Sequence, residues 1–446
     1  MGVKVKRFKM LLVFGMLFCL AKAYSQNPII QTRYTADPAP MVYHDTVFLY
    51  TGHDEPDATG FKMLDWLLYT STDMVNWTDR GAVASLKDFK WAKKNGAWAA
   101  QVIPRNGKFY MYCPIHLGGI GVLVSNSPYG PFRDAIGKPL INNSPDDIDP
   151  TVFIDDDGQA YLYWGNPDLY YVKLNPDMIS YSGSIHKNAE RIRDYQEGPW
   201  FYKRKGHYYM AFASTCCPEG IGYAMSNQPT GPWVYKGAIM DHSPLSNGNH
   251  PGIIDYKGKS YVFGFDYDLL KQITAEHFER RSVCLDELHY NEDGTIQQLP
   301  FWSENGPAPA SALNPFIWQE AETIAWSKNI GTLKSPETGM YVTDIQNGSY
   351  IKVRNVNFQK GSTQFEAVIA SAATGGRIEL RLDSLNGTLI GNCVVSNTGG
   401  WLKWKSSGCK VTSVSGRHDL FFIFMGDPRA MEPKSSLFNF DKWRFK

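Results

Sequence analysis

The sequence lacks a long apolar run, an excess of charge of either sign and a cysteine framework. Between about residues 27 and 302 it also lacks helical periodicity of any length. Its one sustained apolar stretch, Met10 to Leu20, is well short of the ~20 residues that span a bilayer, so a membrane helix is excluded. With 45 Lys+Arg against 44 Asp+Glu the net charge is +1, leaving no basic field to neutralise phosphates. Nucleic acid is therefore excluded as a partner, and an uncharged ligand fits better. Seven cysteines in 446 residues do not make a disulfide scaffold.

What the chain has instead is aromatic residues, 13 Trp, 25 Tyr and 24 Phe, enough for real cores. At ~100–200 residues per domain its length predicts two to four domains. The first 23 residues stand apart: Lys4, Lys6, Arg7 and Lys9 form a basic head, then comes the apolar run, then the small-x-small site Ala21-Lys22-Ala23. This pattern predicts a signal peptide and export to the periplasm or the medium. Cys19 raises a lipoprotein alternative, but the bulky Phe18 before it fits that cleavage poorly. Of the other cysteines, Cys393 and Cys409 lie eight residues either side of Trp401, flanking the turn-like Asn397-Thr-Gly-Gly400, which makes a cross-hairpin disulfide a candidate. Adjacent Cys216 and Cys217 match no metal spacing and read as ordinary thiols in a loop.

One phrase recurs five times: Asp45-Thr-Val-Phe-Leu-Tyr50, Gly107-Lys-Phe-Tyr-Met-Tyr112, Gly158-Gln-Ala-Tyr-Leu-Tyr163, Gly206-His-Tyr-Tyr-Met-Ala211 and Gly258-Lys-Ser-Tyr-Val-Phe263. Each is a turn followed by a β-prone strand. The spacings of 62, 51, 48 and 52 residues are close to the ~40–50 expected of four-stranded propeller blades. The prediction is an all-β chain whose residues 27–302 form a five-bladed β-propeller.

Eight or nine residues before each phrase, at the head of the preceding strand, stand Asp37, Trp98, Asp149, Glu197 and His250. Innermost strands line a propeller's axis, so equivalent positions converge. Singly, an Asp-Pro or His-Pro pair is a turn and a Trp is core. In one register, three carboxylates, an imidazole and an indole meet at the mouth of the channel, a crowding of charge that folding alone would avoid. Such carboxylates around an aromatic-lined pocket suit acid/base hydrolysis of a glycosidic bond. A nucleophile elbow, a phosphate-cradling loop and a His-Glu-x-x-His zinc pair are all missing from the sequence. The run Asp155-Asp-Asp-Gly158 lacks EF-hand spacing and reads as a hairpin turn.

Through Ala36-Asp37-Pro38, Asp149-Pro-Thr-Val-Phe153 and Glu197-Gly198-Pro199, residues 28 to 302 resemble the glycoside hydrolase family 43 propellers. The resemblance implies an inverting mechanism with Asp37 as general base, Glu197 as general acid and Asp149 tuning the acid and orienting the sugar. Inversion implies carboxyls ~6.5–9.5 Å apart. Where family members often carry Trp-Ala-Pro-Asp, this chain has Trp98-Ala-Ala-Gln101, which keeps stacking by Trp98. His250 matches the family's axial histidine. Arg281 is a candidate contact for sugar hydroxyls, with an ordinary surface arginine as the alternative. The arabinoxylan arabinofuranohydrolase branch is resembled through Tyr50-Thr-Gly-His-Asp54, Asn76-Trp-Thr-Asp79 and Asn247-Gly-Asn-His-Pro-Gly-Ile253. It implies release of L-arabinofuranose side chains from xylan; β-xylosidase action and a catalytically silent lectin are the alternatives.

Residues 303–315, rich in Pro, Ala and Ser, read as a linker. Beyond it, alternation in Thr363 to Ala370, Arg377 to Leu382 and His418 to Phe424 predicts a β-sandwich over 316–446. Gln319-Glu-Ala-Glu322, Gly375 to Ser384, Thr398-Gly-Gly-Trp401 and Phe438-Asn-Phe-Asp441 resemble carbohydrate-binding module family 6. That implies a jelly roll with a structural calcium held by Glu320, Glu322 and Asp441. It also implies sugar binding by Trp401 through stacking and Asn439 through hydrogen bonding. Asp344 stands where an aromatic is often found, against a two-sided aromatic clamp.

Overall fold

The computed structural model describes residues 26–242, 249–359, 361–426 and 435–446. The signal peptide read at 1–23 lies outside them, as do Asn247 and Gly248 of one quoted motif. Among the described residues no helix is long and apolar enough to cross a membrane.

Five antiparallel sheets follow one another along the chain as blades. Blade 1 comprises Tyr34–Tyr43, Thr46–Asp54, Asp65–Ser71 and Trp77–Ser85, and blade 2 Gln101–Arg105, Lys108–Ile115, Gly119–Ser125 and Arg133–Asp134. Blade 3 comprises Thr151–Ile154, Ala160–Trp164, Tyr170–Leu174 and Tyr181–Lys187, and blade 4 Tyr195–Arg204, His207–Ser214, Gly220–Ser226 and Val234–Met240. Blade 5 has three strands, Gly252–Tyr256, Lys259–Asp266 and Ser282–Leu288. Its outer edge is covered by the N-terminal segment, where Ile29 N donates to Val283 O and the Asn27 amide brackets Leu285. Each recurring phrase is the turn into a blade's second strand. These strands are near-continuous apolar runs because both faces are buried between neighbouring blades. The run at Asp155 to Gly158 is the hairpin turn expected, with Lys203 bonded to Asp155 and Asp156.

Hydrogen bonds staple the blades around the axis. Trp66 Nε1 donates to Trp98 O, Val152 N to Gln101 Oε1, Phe201 N to Thr151 Oγ1, Trp200 Nε1 to Ile253 O and Val283 N to Thr35 Oγ1. Gln101, the departure in the Trp-Ala-Ala-Gln stretch, is thus a link between blades 2 and 3.

Among the described residues the C-terminal region is a sandwich of a five-stranded and a six-stranded sheet. One holds Trp326–Lys328, Tyr350–Asn357, Gly376–Leu382, Leu389–Val395 and Arg417–Met425. The other holds Gln319–Glu320, Gly331–Ser335, Gly339–Thr343, Ser362–Ala370, Lys405–Val414 and Asn439–Phe445. A single backbone bridge, Gly391 to Val411, joins the sheets, and the Cys393–Cys409 disulfide sits beside it. The core between them is aromatic: Phe365, Phe422, Phe440, Trp443 and Phe445 pack edge to face or tilted. Thr323–Ile324 leaves the sandwich and pairs with Trp77–Ser85, adding a fifth strand to blade 1. Thr332 Oγ1 donates to Asp79 Oδ2 at 2.6 Å, and the Asn76 side chain bonds both the N–H and the C=O of Arg354. The sandwich is docked on the propeller through backbone pairing and buried polar contacts, not tethered beside it.

Candidate active site

The five residues singled out by register do converge. The first strand of blade 1 slips its register between Ala36 and Ala39, and that of blade 4 slips on both sides of Glu197. Such bulges re-aim side chains toward an axis. Asp37 and Asp149 hold φ of 50° and 57°, conformations that cost energy for residues with a Cβ and persist where surroundings impose them. Gly198 has φ 58°, and a Cβ there would lie 3.0 Å from the His250 ring, so glycine lets the imidazole stack against the backbone beside Glu197.

His250 is the hub. Its Nδ1 lies 3.8 Å from Asp37 Oδ1, and its Nε2 lies 3.6 Å from both Asp149 Oδ2 and Glu197 Oε1. Burial alone would lower its pKa, but Asp149, Asp37 and Glu197 outweigh that and raise it to about 10. Asp149 is pushed up to about 7, first by burial and then by the charges of Glu197 and Asp37, against the pull of His250. Burial acts on Glu197 in the same direction, yet contact with His250 and the hydrogen bond from Asn166 Nδ2 hold its carboxyl below the usual range. Below about pH 7 the cluster's protons in the free protein therefore sit on His250 and Asp149 rather than on Glu197.

Arg281 is not the surface arginine offered as an alternative. It is buried, its Nε and Nη2 fork onto Asp54 at 2.9 and 2.8 Å, and its Nη1 donates to Asp37 at 2.8 Å. Trp98 lines the opening, its ring 4.2 Å from that of His116. Together these groups line a cavity of about 440 Å³ at one end of the axis. Below it, the Asp37, Asp149 and His250 turns narrow the channel to a void of about 20 Å³.

A family model for glycosyl hydrolases family 43 matches residues 25–296, and one for carbohydrate binding module family 6 matches residues 320–446. The chain belongs to glycosyl hydrolases family 43. It is 33% identical to an arabinoxylan arabinofuranohydrolase of Bacillus subtilis strain 168, over 94% of this chain and 92% of that one. It is 31% identical to another of that description from Paenibacillus polymyxa, over 94% of this chain and 74% of the relative. A crystal structure of a family 43 arabinoxylan arabinofuranohydrolase from Bacillus subtilis with cellotetraose superposes at a TM-score of 0.83 with 32% identity, covering 95% and 97% of the two chains.

Within this family 43 fold the cavity and the side chains behind it include groups the sequence did not reveal. Asp54 was visible only as part of a motif, because its partner Arg281 is 227 residues away. Asn166 and Glu219 were not singled out. Glu219 is buried in the cavity wall, accepts a hydrogen bond from Asn249 N at 3.2 Å, and is raised to about 8 by burial and by Glu197. The one signal for it is an acid placed between a Cys-Cys-Pro turn and a fully buried strand. Cys216 and Cys217 are not two thiols but a disulfide between neighbours, and it faces the same cavity.

The residues read in the module are differently placed. Asn439 is buried, with Oδ1 accepting from Thr343 Oγ1 and Nδ2 donating to Trp401 O, so it holds the half-exposed Trp401 rather than presenting its amide to solvent. Glu322 and Asp441 are buried, and among the described residues Glu322 Oε2 and Asp441 Oδ1 have no hydrogen-bond partner. Burial and the charge of Glu320 raise both carboxyls, for Asp441 against the opposing pull of Lys442. Orphaned carboxylate oxygens of this kind fit a hard cation. The three acids do not converge as tightly as Asp149, Glu197 and His250, whose ligand atoms lie within 4.8 Å of one another.

Proposed function

We propose that this family 43 chain is an inverting α-L-arabinofuranosidase that removes arabinofuranose side chains from arabinoxylan. The observation that carries it is the placement of Asp37 and Glu197 at opposite nitrogens of one imidazole, in a closed-ended cavity sized for a terminal sugar. The ring keeps the carboxylates apart, which leaves room for a water beside Asp37. Arg281 orients Asp37 to take that water's proton as it attacks the anomeric carbon, while Trp98 stacks on the sugar. Glu197 gives its proton to the departing xylose oxygen. A neutral sugar that displaces water from Glu197 penalises its charged form, and Asp149, at the same His250 nitrogen, disfavours that charge further whenever its own carboxyl is ionised. Binding thus loads the acid. The relatives described as arabinoxylan arabinofuranohydrolases over nearly the whole chain support the same substrate.

The same proposal takes residues 1–23 as an export signal, 27–302 as the catalytic propeller, 303–315 as a linker and 316–446 as a module that contacts xylan through Trp401. A structural calcium would be held there by Glu320, Glu322 and Asp441, where it would supply the positive charge these buried acids lack. The chemistry at the axis uses none of these groups.

Chromatography of the monosaccharides released from arabinoxylan and from unbranched xylo-oligosaccharides tests the reading. Arabinose alone is expected; xylose would replace it with β-xylosidase action, and no sugar from either would return the lectin. Glu197→Gln is expected to lower turnover by about 10³-fold while binding and folding persist. Unchanged turnover would remove Glu197 from the role of acid.

A further inference from the structure

Part of the rim of the cavity is built from one equivalent loop per blade, the one joining the second and third strands, beside the connections between blades that bring in Trp98, Pro145 and Asp146, and these loops differ in length. Residues 267–281 of blade 5 and 55–64 of blade 1 form long loops, whereas 116–118, 165–169 and 215–219 of blades 2, 3 and 4 have three to five residues each. All five reach the cavity, through Tyr267, Phe61, Leu117, Asn166 and the Cys216–Cys217 disulfide respectively. Through these loops the rim is high over blades 5 and 1 and low over blades 2 to 4.

The two ends of the low side share an unusual feature. Leu117 is 55% exposed and has φ 54°, a backbone conformation that favours glycine or asparagine. Thr215, at the start of the equivalent loop in blade 4, has φ 60° and leads into the exposed disulfide. A large apolar side chain both strained and solvent-facing gains nothing for folding, and such residues collect where a ligand makes use of them. Between them blade 3 presents Asn166, bonded to Glu197, so this low side borders the acid where a leaving group departs.

We propose that the main chain of the polysaccharide lies across the low rim of blades 2 to 4, gripped on its apolar sugar faces by Leu117 at one end and the Cys216–Cys217 disulfide at the other. These residues select a branched polymer over a small glycoside, and they act on the part of the substrate that does not react. The inference rests on the arabinofuranosidase reading and adds where the unreacting xylose units sit. The long loops of blades 5 and 1 stand on the opposite side.

The test compares arabinoxylan with 4-nitrophenyl α-L-arabinofuranoside, which has no main chain, on the full-length protein. Leu117→Asn suits the left-handed backbone, so its unfolding temperature is expected to equal or exceed that of the parent. Its KM for arabinoxylan is expected to rise about tenfold, with kcat and the nitrophenyl constants within twofold. The double variant C216S/C217S is expected to shift the same constant in the same direction. Unaltered polymer KM in both variants, or equal losses on both substrates in Leu117→Asn, would overturn the inference. A parent protein that releases arabinose from neither substrate would instead overturn the reading beneath it.

Discussion

The molecule buries acids in two places and balances them in two ways. At the propeller axis Asp37, Asp54, Asp149, Glu197 and Glu219 are met by two cations of the chain itself, Arg281 and His250. In the module Glu320, Glu322 and Asp441 have Lys442, whose Nζ is 3.7 Å from Asp441, and the weaker pull of Arg80 on Glu322, and among the described residues two carboxylate oxygens are left without partners. A buried charge must be paired, protonated or given a metal. The axis uses the first two solutions, which leave its groups free to exchange protons with a substrate. The module has the composition of the third, which would fix its acids for good. One cluster is arranged for chemistry and the other for holding strands together.

The sharpest way to break this comparison is at Asp37. Asp37→Asn keeps the shape and a hydrogen-bond acceptor for Arg281 but removes the base, and turnover is expected to fall about 10³-fold with the fold intact by circular dichroism. Next is Arg281→Leu, which leaves Asp37 and Asp54 buried without their cation. It is expected to cost about 3–5 kcal/mol in denaturant titration. A loss below 1 kcal/mol would mean that water reaches the pair and that the axis is not balanced by its own cations.

The module is expected to answer differently. A chelator should lower its stability by about 2–3 kcal/mol, the linkage expected when a cation present at ~100 times its dissociation constant is withdrawn. Glu322→Gln should remove that sensitivity, because a neutral amide needs no counter-charge. Identical melting curves with and without chelator would leave the two orphaned oxygens to be explained by protonation alone, and the contrast with the axis would shrink to one of degree.

The axis was readable from the sequence because a propeller turns register into proximity. Asp37, Asp149 and Glu197 fall eight or nine residues before a repeated phrase, and a repeat of blades needs no side-chain detail to place them together. Arg281 and Asp54 follow no such offset. Asp54 ends a strand of blade 1 and Arg281 ends a loop of blade 5, 227 residues apart, and only the packing of blade 5 on blade 1 joins them. The module's strands were readable from alternation, since Thr363 to Ala370 and Arg377 to Leu382 are strands to within a residue. What Asn439 does was not, because its two partners are set by how the chain folds back around Trp401. The neighbouring cysteines were misread for a similar reason: no spacing rule in a sequence separates two thiols from a bond between adjacent residues.

The finest distinction between the two clusters concerns Glu219, which at the axis is balanced by a proton rather than a cation. Its carboxyl is raised from 4.5 to about 8 in the folded chain. Between those values the native state keeps a proton that the unfolded state has released, so stability falls as pH rises through that window. Glu219→Gln imitates the protonated acid at every pH. Its stability is expected to match the parent near pH 4.5 and to exceed it increasingly toward pH 8, by about 1 kcal/mol per pH unit at most. Above pH 8 the two curves should run parallel, because His250, raised to about 10, still loses its proton in both. Curves parallel from pH 4.5 onward would mean that Glu219 is charged in the native protein. The axis would then hold a further negative charge with no added cation to meet it, and would need an outside cation just as the module does.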